Sequence, residues 1–287
     1  YFGHGINSGW AGEAPDIGAM VEPQPVIAVE QTSSPRPSVD VVVCVHNALD
    51  AVRPCLESLL RARCADDRII IVDDASAEPT ADYLRHFVAR TPNATLLRHD
   101  GAPRGYCRAA TEGMQTGSSR FLLLLNSDTI LSVRAIEKMV AVATRDPEVA
   151  VVGPISNAAS SQSIPDIKGN AGQTAINRLP QNIAVDDIDA WLEQRSGAQV
   201  TPSLPLVHGF CQLIRRAVLD EVGLFDEQAF PQGYGEENDL CLRVGNAGYE
   251  LRVATDCFVY HIKSASYSDD ERRQRLTQAG GEALRQK

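Results

Sequence analysis

Residues 38–76 read SVDVVVCVHNALDAVRPCLESLLRARCADDRIIIVDDAS. Residues 39–45 are mostly valine, which suits a pleated strand. After Asn47 the apolar positions Val52, Leu56, Leu59 and Leu60 fall on one helical face. Residues 69–72 repeat the strand signal, and Pro79 opens a helix whose inward face is Tyr83, Leu84, Phe87 and Val88. Two strand–helix units in succession set the class as α/β.

The alternation continues outward. A strand is predicted at 95–98, a helix at 106–116, a strand at 121–125, a helix at 133–144 and a strand at 149–153. Continuous apolar strands between amphipathic helices imply a mainly parallel sheet covered on both faces. From 156 to about 205 the pattern fades into Gly, Asn, Gln, Ser and Pro, apart from a short helix near 185–193. A long polar stretch inside an enzyme-sized domain is usually a binding loop or lid. Order returns at 206–215, then a short helix ending near Gly223, a helix at 238–247 stopped by Gly248, and strands at 250–253 and 258–262.

The flanks differ. Residues 1–37 carry many Gly and Pro and end in Ser33-Ser34-Pro35-Arg36-Pro37, the chemistry of a linker or the end of an upstream domain. The chain starts at Tyr1 with no signal-peptide pattern, so an excised piece of a longer polypeptide with additional domains is expected. The main domain is expected over 38–268, in two parts at 38–155 and 156–268, the first a nucleotide-type α/β unit; a helical tail follows at 269–287.

The 287 residues carry a formal charge of −10, which argues against a nucleic-acid surface, since that needs a basic stripe. No apolar run reaches the roughly 18 to 20 residues that span a bilayer. Seven cysteines without a C-x-x-C pair read as buried thiols in a reducing compartment, so a cytoplasmic location is expected.

In parallel sheets, ligands gather at the carboxyl ends of the strands. Here those ends are acidic: Asp73-Asp74-Ala75-Ser76 and Asn126-Ser127-Asp128-Thr129. Helix capping accounts for Ser76, whereas Ser132 is the better cap for the helix that follows Asp128. A third cluster, Gly233-Tyr234-Gly235-Glu236-Glu237-Asn238-Asp239, holds three carboxylates in four positions. A cap needs one, for which Asp239 is the candidate; a carboxylate beside a ligand is what a general base requires. His261 closes the last strand, where a structural role competes with a ligand role. Arg104 and Arg108 are candidates for phosphates or merely solvated helix-face residues. Gly209, beside His208, permits backbone to approach a ligand, and Trp191 is either a stacking platform for a ligand ring or packed against Ile188.

Taken in order, these motifs resemble glycosyltransferase family 2, enzymes of GT-A fold that use nucleotide-activated sugars. The resemblance covers roughly 38–267 and implies a nucleotide-binding half at 38–155 and an acceptor and catalytic half at 156–268. By it, Asp74 contacts the nucleobase, Cys44, His46 and Asn47 wall its pocket, and Asn126 and Ser127 lie near the ribose. Asp128 and His261 hold a divalent cation, Mn²⁺ or Mg²⁺, which bridges the donor's phosphates. Glu237 stands where the family most often has Asp and acts as the base, with Glu236 and Asp239 as alternatives, in a one-step displacement that inverts the anomeric centre. The chain departs from the family in Asn126, which takes the first position of the D-x-D motif, and in Val45-His46-Asn47, where an aromatic Tyr-Asn is more usual. The resemblance implies a UDP-, dTDP- or GDP-sugar donor, a glycan or lipid-linked acceptor, and work at the inner face of a membrane, as in bacterial surface polysaccharide synthesis. The competing readings are an inactive nucleotide- or carbohydrate-binding module of a larger assembly protein, a nucleotidyltransferase and a dinucleotide dehydrogenase. The last two require a Gly-rich loop after the first strand, a place held here by His46-Asn47-Ala48-Leu49-Asp50.

Overall fold

In a computed structural model, residues 36–170, 172–196, 200–231, 233–263 and 270–287 are described. The expected linker therefore lies outside the described residues, apart from Arg36 and Pro37. The strands are β1 (Val39–Val45), β2 (Arg68–Asp74), β3 (Ala94–His99), β4 (Phe121–Asn126), β5 (Thr129–Leu131), β6 (Val149–Ser156), β7 (Cys211–Arg215) and β8 (Glu250–His261). The helices are α1 (Leu49–Ala62), α2 (Thr80–Arg90), α3 (Tyr106–Thr116), α4 (Ala135–Arg145), α5 (Val185–Ser196), α6 (Arg216–Val222), α7 (Glu236–Asn246) and α8 (Asp270–Gln286).

One sheet of order β3-β2-β1-β4-β7-β6-β8-β5 carries the fold. β3, β2, β1 and β4 run parallel, as do β6 and β8, while β7 is antiparallel to β4 and β6, and β5 to β8. Alternation along β1 shows why the strands are apolar throughout. Val39, Val41, Val43 and Val45 pack with Val52, Leu56 and Leu59 of α1 and with Met139 and Val140 of α4. Val42 faces the other way, with Ala110 and Met114 of α3 and Leu240 and Val244 of α7. Each such side chain contributes about 1.5–3 kcal/mol on burial.

Several details correct the sequence reading. Leu60 is 40% exposed and lies off the α1 stripe, because the position after Leu59 rotates past the contact face. The strands expected at 250–253 and 258–262 are one strand, β8, with a register irregularity between its pairings at Ala254 and Phe258. The helix expected at 238–247 starts two residues earlier, which brings Glu236 and Glu237 into its first turn. Ser132 does not cap α4, whose N-cap is Arg134; its hydroxyl donates to Asp189 at 2.8 Å. Ser76 does not cap α2, where Pro79 holds that position. Residues 206–210, expected as strand, precede β7. Trp191 is packed with Val185, Ile188 and Leu192 of α5 and Phe258 of β8. All seven cysteines are free thiols. No helix among the described residues is long and apolar enough to cross a membrane.

Candidate active site

Strand order reverses between β1 and β4, so the crevice expected in such a sheet opens at their carboxyl ends. Register then sets the neighbours: Cys44 lies beside Val72 and Asn126, and Asp74 beside His99. Beyond β1 the chain turns through Asn47 and Ala48, both left-handed at φ 59° and 57°. That conformation is held from outside. The Asn47 N–H donates to Ser76 Oγ at 2.8 Å, Asn47 Oδ1 accepts from the Ala77 N–H at 2.8 Å, and His46 Nδ1 lies 2.7 Å from the Asp74 carbonyl. Ser76 thus ties the β2 turn to the β1 turn in place of the helix-capping role expected of it.

Asp74 is 5% exposed. Its carboxylate accepts from the backbone N–H groups of Arg104 at 2.7 Å and Gly105 at 2.8 Å, and His99 Nδ1 lies 3.1 Å away. Burial opposes ionisation, but these donors outweigh it and hold the carboxyl below its usual range. Arg104 therefore meets Asp74 through its backbone, while its exposed guanidinium stands 4.0 Å from Glu112. Arg108 pairs with Glu227 at 3.1 Å on the surface, the solvated alternative.

Asp128 follows β4, and antiparallel pairing of β5 with β8 sets Thr129 opposite His261. His261 Nε2 consequently lies 3.2 Å from Asp128 Oδ1. Burial raises the Asp128 carboxyl, but the His261 hydrogen bond and charge, with Lys263 behind them, bring it below the ordinary value. The His261 ring stacks on Phe210, with centroids 5.1 Å apart. Phe210 also accepts the Asn126 N–H at 2.9 Å through its carbonyl. A Cβ on neighbouring Gly209 would stand 3.0 Å from Glu237 Cγ, so the Glu237 side chain would have to shift to admit one. The Gly209-Phe210 step thus joins the Asp128–His261 pair to the acidic turn.

That turn runs through Gly233, Tyr234 and Gly235 at φ 90°, 67° and 133°. Glu236 is 5% exposed, and its Oε2 has no hydrogen-bond partner among the described residues. Burial first, then the Glu237 charge, push its carboxyl up to about 8. Burial also raises Glu237, against a 3.3 Å hydrogen bond from the Gly235 N–H and the charge of Lys263. Asp239 is engaged by Arg243 and Lys287, each at 2.8 Å. His208 is kept neutral: burial, then the Lys263 and His261 charges, lower it to about 3. Ser127 is half-buried between Asn126 and Asp128.

Among the described residues no group of three or more His, Cys, Asp or Glu side chains gathers to hold a metal. The Asp128–His261 pair offers one oxygen and one nitrogen donor at adjacent positions, a set that fits a divalent cation completed by phosphate oxygens and water.

Comparison with known proteins now bears on this geometry. The family model described as Glycosyl transferase family 2 matches residues 40–223. The chain belongs to glycosyl transferase family 2. The matched segment holds Asp74, Asp128 and Gly209 and stops short of Glu237 and His261. An N-acetylglucosaminyl-diphospho-decaprenol L-rhamnosyltransferase of Mycobacterium tuberculosis is 26% identical over 272 residues, covering 88% of this chain and 80% of the relative. A pre-mycofactocin glycosyltransferase of the same species is 26% identical over 223 residues, 78% of this chain and 42% of its own length. Against this relative, an uncharacterized Sinorhizobium fredii protein and a Bradyrhizobium diazoefficiens N-acetylglucosaminyltransferase, the chain spans 25–44% of the relative's length. Among solved structures, GalNAc-T7 with UDP, GalNAc and Mn²⁺ superposes at TM-score 0.61 with 17% identity, over 80% of this chain and 44% of that one. A Pyrobaculum calidifontis mannosyltransferase in complex with GDP-Man and Mn²⁺ gives 0.59 and 19%, over 88% and 65%. These are likenesses of fold, and the fold of the family member described here is GT-A.

Sequence reading passed over His99, Glu112 and Phe210. His99 falls beside Asp74 only once β2 and β3 are paired in parallel, which local sequence does not state. Phe210 carried no signal, because it reads as core.

Proposed function

We propose that the chain is a glycosyltransferase that moves a sugar from a nucleoside-diphosphate sugar to a hydroxyl of a glycan or lipid-linked acceptor, with inversion at the anomeric carbon. One observation carries the reading: Gly209-Phe210 joins the Asp128–His261 pair to the Glu236-Glu237 turn. A cation-binding pair and a carboxylate of raised proton affinity thus share one segment, as a displacement needs.

Asp128 and His261 are the residues that would hold Mn²⁺ or Mg²⁺, which when bound stabilises the departing diphosphate. Asp74 takes the nucleobase, with Cys44, His46 and Asn47 around it and Asn126 and Ser127 on the ribose side. Glu237 takes the proton of the acceptor hydroxyl; its raised carboxyl makes it a stronger base than an exposed one. Glu236 keeps its proton at neutral pH, so the site holds one basic carboxylate instead of two mutually repelling ones. The lipid-linked acceptor class is supported by the relative named for a diphospho-decaprenol substrate; a role in surface polysaccharide synthesis and work at the cytoplasmic face of a membrane belong to the same proposal. Further domains of the polypeptide are part of the proposal, supported by the longer relatives.

The test is donor consumption across UDP-, dTDP- and GDP-sugars with Mn²⁺. Turnover of at least one donor is expected. Nucleotide binding without transfer or donor hydrolysis across the whole panel would favour a binding module instead.

A further inference from the structure

Behind Asp74 lies a chain of groups, buried at His99 and partly exposed at Glu112, that the proposed reaction does not use. His99, 4% exposed, has a carboxylate at each ring nitrogen: Asp74 Oδ1 at 3.1 Å from Nδ1 and Glu112 Oε2 at 2.5 Å from Nε2. Glu112, on α3, is 39% exposed at its side chain, and the Arg104 guanidinium stands 4.0 Å from the same oxygen. A hydrogen has to occupy both gaps, because a bare nitrogen facing a carboxylate in a buried site is strongly disfavoured. Whether the outer proton sits on His99 or on Glu112, Nδ1 carries its own hydrogen and donates it to Asp74.

An ionised carboxylate offers about four lone-pair sites. At Asp74 three are taken, by His99 and by the backbone N–H groups of Arg104 and Gly105. All three partners are donors, so the carboxylate is an acceptor with one site left. Uracil and thymine present a ring N–H at N3, and guanine presents one at N1. Cytosine and adenine have a bare ring nitrogen there, and its lone pair meets the carboxylate charge.

We infer that His99 and Glu112 are positioning residues that set nucleobase specificity: they fix Asp74 as a one-site acceptor, so that the pocket prefers a base with a ring N–H to cytosine or adenine. The inference rests on the reading of Asp74 as the nucleobase partner. Specificity here is a difference of affinities, and a polar group left facing a like charge supplies it.

The experiment is calorimetric titration of UDP, GDP, CDP and ADP, with Mn²⁺, into the wild-type protein and the variants His99→Leu, His99→Gln and Glu112→Ala, each checked by thermal melting. Wild type is expected to bind UDP or GDP at least about tenfold more tightly than CDP and ADP. His99→Leu narrows that gap by about tenfold, the scale of one charge-assisted hydrogen bond. His99→Gln, whose amide still donates to Asp74, keeps most of it, and Glu112→Ala narrows it severalfold. Should His99→Leu not fold, the other two variants decide. A gap that Glu112→Ala leaves intact, or a His99→Leu loss equal for all four nucleotides, overturns the inference, as does a wild type that binds all four alike. A wild type that binds none of the four, nor dTDP, overturns the nucleotide reading itself, and this inference with it.

Discussion

In the proposed reaction two adjacent glutamates have different duties. Glu236 is protonated in the folded protein up to about pH 8, whereas in the unfolded chain it ionises near 4.3. Below the lower value both states hold the proton. Between the two values only the folded state does, so stability falls as pH rises through that window. Glu236→Gln removes the ionisation and keeps the shape. Its melting temperature is expected to exceed wild type by at least about 2 °C at pH 8, with the difference fading by pH 5. A difference independent of pH would show that burial of Glu236 is not the cause. At Gly209 the limit is steric, since a Cβ would stand 3.0 Å from Glu237 Cγ. Gly209→Ala is expected to lower kcat by at least about tenfold with nucleotide affinity unchanged, because a displaced base weakens the proton transfer and leaves donor binding alone. Equal losses in both would place Gly209 in the donor pocket. Sequence exposed the acidic residues of this site but not their division, which depends on where α7 starts.

Between elements, the carboxyl-terminal part of the sheet is held by one buried knot. Asp189 on α5 accepts from Lys138 of α4 at 2.6 Å, from the Ser132 hydroxyl at 2.8 Å and from the Phe258 N–H of β8 at 2.8 Å. Lys138 also donates to the Asp256 carbonyl at 2.7 Å. The knot fixes the strand that carries His261. Asp189→Ala strips Lys138 of its nearer carboxylate, leaving Glu193 at 3.0 Å, and removes the acceptor of the Ser132 hydroxyl and the Phe258 N–H; it is expected to cost about 1–3 kcal/mol, read by urea unfolding. A loss below about 1 kcal/mol would make the knot incidental. Element positions were legible wherever period and propensity agreed: β1, α3 and the core of α2 follow from apolar spacing alone. β5 was missed because three residues after Asn126-Ser127-Asp128 carry no period. Its pairing with β8, which places His261 against Asp128, is a long-range contact that local sequence does not encode.

At the scale of the molecule, the formal charge of −10 and the acidic strand ends at the β1–β4 switch point fit the proposed small anionic donor, neutralised by a cation, instead of a polyanion. Nucleoside diphosphate at about 100 times its Kd is expected to stabilise the protein by about 2.7 kcal/mol. The resulting rise in melting temperature should disappear with EDTA and in His261→Ala. A rise that survives both would remove the Asp128–His261 pair from donor binding. Fold class and the order of the motifs were read from sequence because each βα unit is a local pattern; the assembly of Asp74 with His99 and Glu112 was not, since it depends on strand order.

The central claim is that Asp128 and Glu237 divide cation-assisted donor binding from base catalysis. Turnover of a responsive nucleotide sugar, measured beside nucleotide affinity in Asp128→Ala and Glu237→Gln, tests it most directly. Asp128→Ala should lose both affinity and turnover, while Glu237→Gln should bind as wild type does and turn over at least about 100-fold more slowly. Wild-type turnover in both variants would contradict the claim.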